Sequence, residues 1–321
     1  GPGATAFLDW FTTNKLPKIG RINLTYALTS HGTTRTEYTI VRMSEDEYYL
    51  VSAGAWTAYD ADFLRKAVED KEAEFGRIEV QNVTTQWGVF AIAGPKARAV
   101  MAEVIKDADP ETALSNKRFP WLSAKKIELG MCPVNAIRVA YTGELGWELH
   151  HPIEMQNYLF DLLEKAGEKH GMKLVGARAQ NWLRQEKSYR AFGNELGRDA
   201  TPVEADLPRF IDLEKDFHGK AEMVAKGVRS KCVTVLIDGP SDADPWGREA
   251  LYDMDGNRIG RLTSGGYSVA FEKSIGMGYV KPALAEVGTK VQVKMLDKLW
   301  PAVIVEDSPY DPKNATIRVD G

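Results

Sequence analysis

A chain of 321 residues with 44% hydrophobic and 27% charged side chains can bury a sizeable core without disulfide or metal staples, and its composition is neither disordered nor fibrous. The formal net charge of −4 gives no broad attraction to phosphate backbones or anionic lipids, so neither nucleic acid nor a membrane is expected as a partner. Cys132 and Cys232, the two cysteines, lie in apolar strand-like stretches and read as reduced core thiols, and the histidines offer a single adjacent pair, so no metal is expected.

No apolar run approaches the roughly 20 residues that a membrane helix needs. The start, GPGATAFLDWF, has no initiator Met and no signal-peptide pattern. The expectation is a soluble, intracellular chain that is a processed or truncated piece of something longer.

In chain order, AFLDWFTTN reads as a short helix, and RINLTYALT, EYTIVRM and EYYLVSAG read as strands from their period-2 alternation of β-branched and aromatic residues. From Asp60 the period changes: Phe63, Leu64, Ala67 and Val68 share a helical face, predicting a helix to about residue 75. WGVFAIA is a buried strand, followed by Gly94-Pro95 and a helix carrying Ala97, Met101, Val104 and Ile105. PVNAIRVAY is strand-like. Beyond YTGELGWELHHP, a stripe of Met155, Leu159, Leu162, Leu163 and Ala166 predicts a helix closed by Gly171, and a further helix is expected over about residues 177–190. After about Gly227 helical signals fade, and KCVTVLIDG, EALYDMDGNRIG, SIGMGYV, KVQVKML and PAVIVED follow as strands, with Asp255-Gly256 as a hairpin turn. The reading is an α+β body, residues 1–226, in two intertwined subdomains of antiparallel sheets and helices, then an all-β barrel or jelly-roll-like domain, residues 227–321.

Nucleotide loops of the GxGxxG and GxxxxGK[ST] kinds, and a GxSxG nucleophile, are missing from the sequence. Three segments remain. In YTGELGWELHHP, Gly143 and Gly146 permit a tight hairpin that brings Tyr141, Glu144 and Glu148 together; Trp147 and Glu148 then point to opposite faces, one to the core and one to a pocket. A carboxylate there suits a heterocycle with paired N–H donors. On spacing alone, an ordinary hairpin with surface glutamates is the favoured reading. In NWLRQEK, Trp182, Glu186 and Arg190 share a helical stripe and Arg184 lies beside it, as a site arginine or as part of a solvated, ion-paired helix. In SHGTTRTEYTIV a turn delivers Glu37 into a strand; buried, it is an acid or base with a raised pKa, and exposed it does nothing special.

Together these segments resemble the folate-binding aminomethyltransferase family, which includes the glycine-cleavage T-protein and the C-terminal halves of dimethylglycine and sarcosine dehydrogenases. YTGELGWEL is similar to the family's YTGExGxE, VFAIAGPKAR to its strand–GPxA–helix element, LRQEKSYRAFGNEL…TPVEADL to its LRLEKxxRxxGxE…TPxEAGL stretch and DFHGK to its FxGK. The match is colinear over essentially the whole chain, and the ELGWEL variant looks closer to the dimethylglycine dehydrogenase branch.

The resemblance implies that Glu148 holds the pterin ring of tetrahydrofolate, that Arg184 and Tyr141 belong to the same folate site, and that Glu37 is the catalytic carboxylate. In the matching turn, GGxxxDDxxV, Glu37 stands where the second aspartate does and Thr36 where the first does, a departure from the T-protein pattern that favours the dehydrogenase branch. The implied activity is capture of the carbon of an N-methyl amine, of the dimethylglycine or sarcosine type, as 5,10-methylene-tetrahydrofolate. The flavin would sit on an N-terminal domain or subunit absent from this sequence. The implied location is the bacterial cytoplasm, or the mitochondrial matrix in a eukaryote. Alternatives are the folate module of another demethylase, acting on trimethylamine N-oxide or a sulfonium donor, and a non-catalytic folate-binding or assembly module.

Overall fold

A computed structural model describes residues 1–240 and 242–320. Among these residues the chain builds three antiparallel sheets. The first, in order β1-β2-β3, is made of β1 (Ile22–Leu28), β2 (Thr34–Arg42) and β3 (Tyr48–Val51). One face of it carries α1 (Ala4–Phe11) and α2 (Thr57–Phe75), whose Phe7, Leu8, Phe11 and Val68 pack with Ala27, Tyr38 and Ile40. Because side chains alternate along a strand, Glu37 falls on the other face of β2, opposite Tyr26 of β1.

The second sheet, in order β4-β7-β6-β5, contains β4 (Trp87–Ala93), β5 (Ala124–Leu129), β6 (Cys132–Ile137) and β7 (Gly146–Pro152). Its core face is covered by α3 (Ala97–Ala102), α4 (Pro110–Ala113) and α5 (Gln156–Glu168) around the fully buried Trp147. The two sheets meet where Ile22 and Val41 pack against Ile137, and where the Ile22 and Ala124 N–H groups donate to Leu122 O and Gly20 O at 3.1 and 3.0 Å.

After α6 (Ala177–Glu186) and α7 (Lys220–Lys226), six strands close a barrel in the order β10-β11-β8-β13-β12-β9: β8 (Lys231–Ile237), β9 (Ala250–Tyr252), β10 (Arg258–Ser268), β11 (Lys273–Val280), β12 (Lys290–Met295) and β13 (Lys298–Val305). Closure removes the exposed edges a jelly roll would keep. The expected Asp255-Gly256 turn joins β9 to β10, with Gly256 at φ +83°. Cys132 and Cys232 are both free and buried.

Three local expectations are corrected. The helix after Gly94-Pro95 ends at Ala102, so Val104 and Ile105 are buried from a following turn. The helix from residue 177 stops at Glu186: Ser188 adopts φ +52°, and Arg190 leaves the stripe it was expected to share with Trp182. The strands flanking the YTGE motif do pair antiparallel, but the connection spans residues 138–145 instead of a tight turn.

Candidate functional site

Glu37 is the most chemically exceptional carboxyl group in the body. It is half-buried by area but lies deep between elements, and this desolvation raises its pKa from the usual 4.5 to about 8, an effect the nearby Tyr26 hydroxyl partly offsets. Tyr26 is fully buried, its hydroxyl has no protein hydrogen-bond partner, and burial followed by the Glu37 charge pushes its pKa well up. The nearness of the two groups is therefore electrostatic and not a settled hydrogen bond. The charges of Arg209 and Arg190 oppose the rise at Tyr26, and Tyr141 adds to it.

Tyr141 comes from the motif loop. Its hydroxyl donates to Arg190 O at 2.9 Å, its ring stacks with Tyr189 at 6.1 Å, and it feels the charges of Arg184, Glu37 and Glu195. Burial raises its pKa far beyond the physiological range, so it is a neutral hydroxyl. Thr142 beside it carries a second buried hydroxyl without a protein partner. Tyr26 and Thr142 went unmarked in the sequence; the signal for Tyr26 was its place in the alternation of INLTYAL.

Arg184 is enclosed by protein partners. It is 1% exposed; Nε donates to Asn181 Oδ1, Nη1 to Tyr189 O and Glu195 Oε2, and Nη2 to Ser264 Oγ, at 2.9, 2.7, 3.0 and 2.6 Å. Four of the five N–H groups of a guanidinium are thus engaged by the protein. The charged run LRQEKSYR is no solvated face. Glu186 Oε1 accepts from Ser268 Oγ and Ala270 N, Lys187 Nζ donates to the carbonyls of Tyr310 and Asp311, and Arg190 pairs with Asp307. Each buried charge clamps the turn after α6 to the barrel or its C-terminal extension.

The motif's three polar residues separate. Tyr141 donates to Arg190 O and is influenced by the charges of Arg184 and Glu37. Glu144 sits by Lys187 and Asp311, its pKa raised by burial and then by the Asp311 and Glu186 charges. Glu148, on β7, shares a face with Ile137 of β6, its register partner, and therefore addresses the junction where Ile137 meets Val41. Glu37 and Val41 lie on one face of β2, four residues or about 13 Å apart along the strand.

The two glycines have different reasons to be glycine. Gly143 takes φ +76°, and a Cβ there would lie 2.4 Å from Lys187 Cγ; Gly146 is inside β7, where a Cβ would lie 2.6 Å from Ile92 O. The adjacent GPKAR segment is tied in by Gly94 N donating to Leu145 O at 2.8 Å. Trp147 packs away from the site, as its alternation with Glu148 predicts. His150 and His151, the adjacent histidine pair, are both buried within β7. His150 lies between Tyr49 and Glu148, and His151 stacks on Phe90 with centroids 4.7 Å apart.

Two open hollows elsewhere, of about 400 and 490 Å³, lie beside Trp246 and between Pro95 and Val319. Neither contains any of these buried groups. Among the described residues no His, Cys, Asp and Glu cluster could hold a metal, and no helix is long and apolar enough to cross a membrane.

Comparison with known proteins adds relatives to this geometry. Residues 1–215 match the family model described as the GCVT N-terminal domain, and residues 231–311 that of the glycine cleavage T-protein C-terminal barrel domain. The chain is 35% identical over 330 residues to the mitochondrial dimethylglycine dehydrogenase of Rattus norvegicus, a match covering 100% of this chain and 37% of that protein. It is 31% identical over 347 residues to a probable aminomethyltransferase of Thermococcus kodakarensis, covering 98% and 83%. Among solved structures, the glycine cleavage system aminomethyltransferase T from Bartonella henselae shares the fold with a TM-score of 0.81 at 24% identity, covering 97% of this chain and 82% of that one. The chain thus spans 37% of the length of the rat dehydrogenase it matches.

Proposed function

Because the chain belongs to the aminomethyltransferase family of the glycine-cleavage T-protein, we propose that it captures a one-carbon unit from an N-methyl amine of the dimethylglycine or sarcosine type on tetrahydrofolate. The product is 5,10-methylene-tetrahydrofolate, and the amine is oxidised on a flavin domain or subunit outside these residues. The observation that carries the reading is Glu37: a carboxyl group desolvated to a pKa of about 8, with no salt bridge among the described residues, beside a Tyr26 hydroxyl that has no partner among them. Similarity over the whole of this chain to 37% of the length of a dimethylglycine dehydrogenase supports the donor class.

The residues fit a folate. Tyr26 and Thr142 offer buried hydroxyls without protein partners, and Glu148 offers a carboxylate that keeps 29% side-chain exposure and can accept from paired N–H donors of a pterin. When bound, tetrahydrofolate supplies the nitrogens that take up the carbon. Glu37 holds or receives the proton at its carboxyl, a task suited to a group titrating near neutrality. Tyr141 and Glu148 orient the ligand, and Arg184 fixes the wall behind Tyr141. Such positioning is worth several kcal/mol of barrier.

The test is formation of 5,10-methylene-tetrahydrofolate by the 321-residue chain from tetrahydrofolate and formaldehyde or a one-carbon carrier, above the uncatalysed rate. Glu37→Gln is expected to lower turnover and spare folate affinity. Collapse of folate binding in that variant overturns the assignment of Glu37. Stoichiometric folate binding with no rate enhancement by the parent chain identifies a binding module in place of an enzyme.

A further inference from the structure

His150 is 1% exposed and uses both ring nitrogens: Nδ1 lies 3.0 Å from the Tyr49 hydroxyl, and Nε2 lies 3.3 Å from Glu148 Oε2. Tyr49 comes from β3 of the first sheet, whereas His150 and Glu148 come from β7 of the second, two residues apart and hence on one face. The bridge therefore crosses the junction between the sheets, with the imidazole edge-on to the Tyr49 ring at 5.4 Å.

We propose that His150 is a positioning residue for the folate site, holding the Glu148 carboxylate through Nε2–H while Tyr49 fixes the imidazole from the other sheet. The proposal rests on the reading of Glu148 as the pterin-binding carboxylate. The tautomer follows from the network. A carboxylate only accepts, so Nε2 carries the proton, and Nδ1 is left to accept from the Tyr49 O–H. Tyr49 can serve as donor throughout the physiological range, since burial and then the Glu148 charge raise its pKa.

The consequence is chemical as well as geometric. Oε2 of Glu148 is committed to His150, which leaves Oε1 and the free lone pair of Oε2 for a ligand. A glutamate side chain half-open to solvent would otherwise sample several rotamers, and ordering it on binding would weaken affinity. The bridge orders it in advance, so Glu148 presents one orientation before the ligand arrives.

The test uses the 321-residue chain with 5-formyl-tetrahydrofolate as probe, affinity read by titration calorimetry and folding by thermal melting. His150→Phe keeps the apolar volume and loses the donor; it is expected to raise Kd about tenfold. His150→Gln, whose side-chain amide reaches the place of Nε2, is expected to stay within about threefold of the parent. Tyr49→Phe keeps the ring contact and is expected to raise Kd about threefold. The deciding arm places each substitution in a Glu148→Gln background, where the expected further loss is nil. Undiminished loss in that background overturns the proposal, as does unchanged affinity in both Tyr49→Phe and His150→Phe. If His150→Phe does not fold, Tyr49→Phe alone decides: weakening that disappears with Glu148→Gln supports the bridge, and any other result overturns it. Unchanged affinity in Glu148→Gln overturns the reading of Glu148 and the proposal with it. Lost affinity in Glu148→Gln with none in its two neighbours overturns the proposal alone.

Discussion

Tyr26 and Glu37 oppose each other directly across the β1–β2 ladder, both turned away from the helix-covered face, one with a buried hydroxyl lacking a protein partner and the other with a carboxyl titrating at about 8. Between pH 4.5 and about 8 the folded chain keeps a proton on Glu37 that the unfolded chain has released. Its contribution to stability is therefore fully present below the unfolded value and is lost as pH rises through about 8. Glu37→Gln removes this dependence. Denaturant unfolding of the variant and the parent should show the variant gaining about 2–4 kcal/mol relative to the parent on going from about pH 5 to about pH 8.5. Parallel curves for the two proteins would contradict the buried carboxyl.

The same group sets the expected rate profile. If Glu37 acts as a base in the free chain, kcat/KM climbs with pH and levels off above about 8. Tyr26 offsets part of the desolvation of Glu37, so Tyr26→Phe should move the midpoint to higher pH while Tyr141→Phe, whose hydroxyl is bonded to Arg190 O, should leave it nearly in place. An acidward shift in Tyr26→Phe would refute the sign assigned to that hydroxyl.

Arg184 and Glu195 form a pair with side-chain exposures of 2% and 0% at 3.0 Å. Removing one partner of such a pair leaves the other charged and dry, at a cost of about 3–5 kcal/mol. Arg184→Ala should show a loss of this size in urea unfolding. Arg184→Lys retains the charge but not the fork that reaches Asn181, Tyr189, Glu195 and Ser264 together, and about 1–3 kcal/mol of loss is expected. Restoration by Glu195→Gln in the Arg184→Ala background, measured as a double-mutant cycle, would separate the uncompensated charge from lost packing.

Most of the architecture was legible because period and burial agree. Val233, Val235 and Ile237 of KCVTVLI line the barrel, and Phe63, Leu64, Ala67 and Val68 do face the first sheet. β5 escaped notice because AKKIEL is an edge strand, its exposed positions filled by Lys125, Lys126 and Glu128, which read as loop. The helix after Gly176 looked longer than it is because Lys187 and Arg190 suit helical spacing, yet both are spent on tertiary partners that pull the chain out of the helix. Glu37 and Tyr141 were legible as candidates, and the structure places them within electrostatic reach of each other. What the sequence could not reveal is that Arg184 is enclosed, since its partners Glu195 and Ser264 lie 11 and 80 residues away. The pairing of Glu148 with His150 was available in principle, as an i, i+2 spacing on a strand; the third member, Tyr49, is 101 residues from His150 and belongs to another sheet.

Lys187 gives the last expectation. It is fully buried, its Nζ donates to Tyr310 O at 2.9 Å and Asp311 O at 2.6 Å, and desolvation lowers its pKa while Asp311 and Glu144 oppose that shift. The same turn receives Ser308 N on Ser188 Oγ and holds Tyr310 N on Glu186 O, so the segment beyond β13 is laced to the end of α6 over the YTGE loop. Lys187→Met keeps the aliphatic stem beside Gly143 and removes the donor. Two carbonyls then lose their partner and Glu144 loses the opposing charge of Lys187, for an expected loss of about 2–4 kcal/mol. Because the barrel itself is untouched, the loss should be local first: amide exchange at residues 307–311 and at 141–145 should speed up well before exchange in β8 or β11. Uniform acceleration across the chain would instead mean that Lys187 serves global packing.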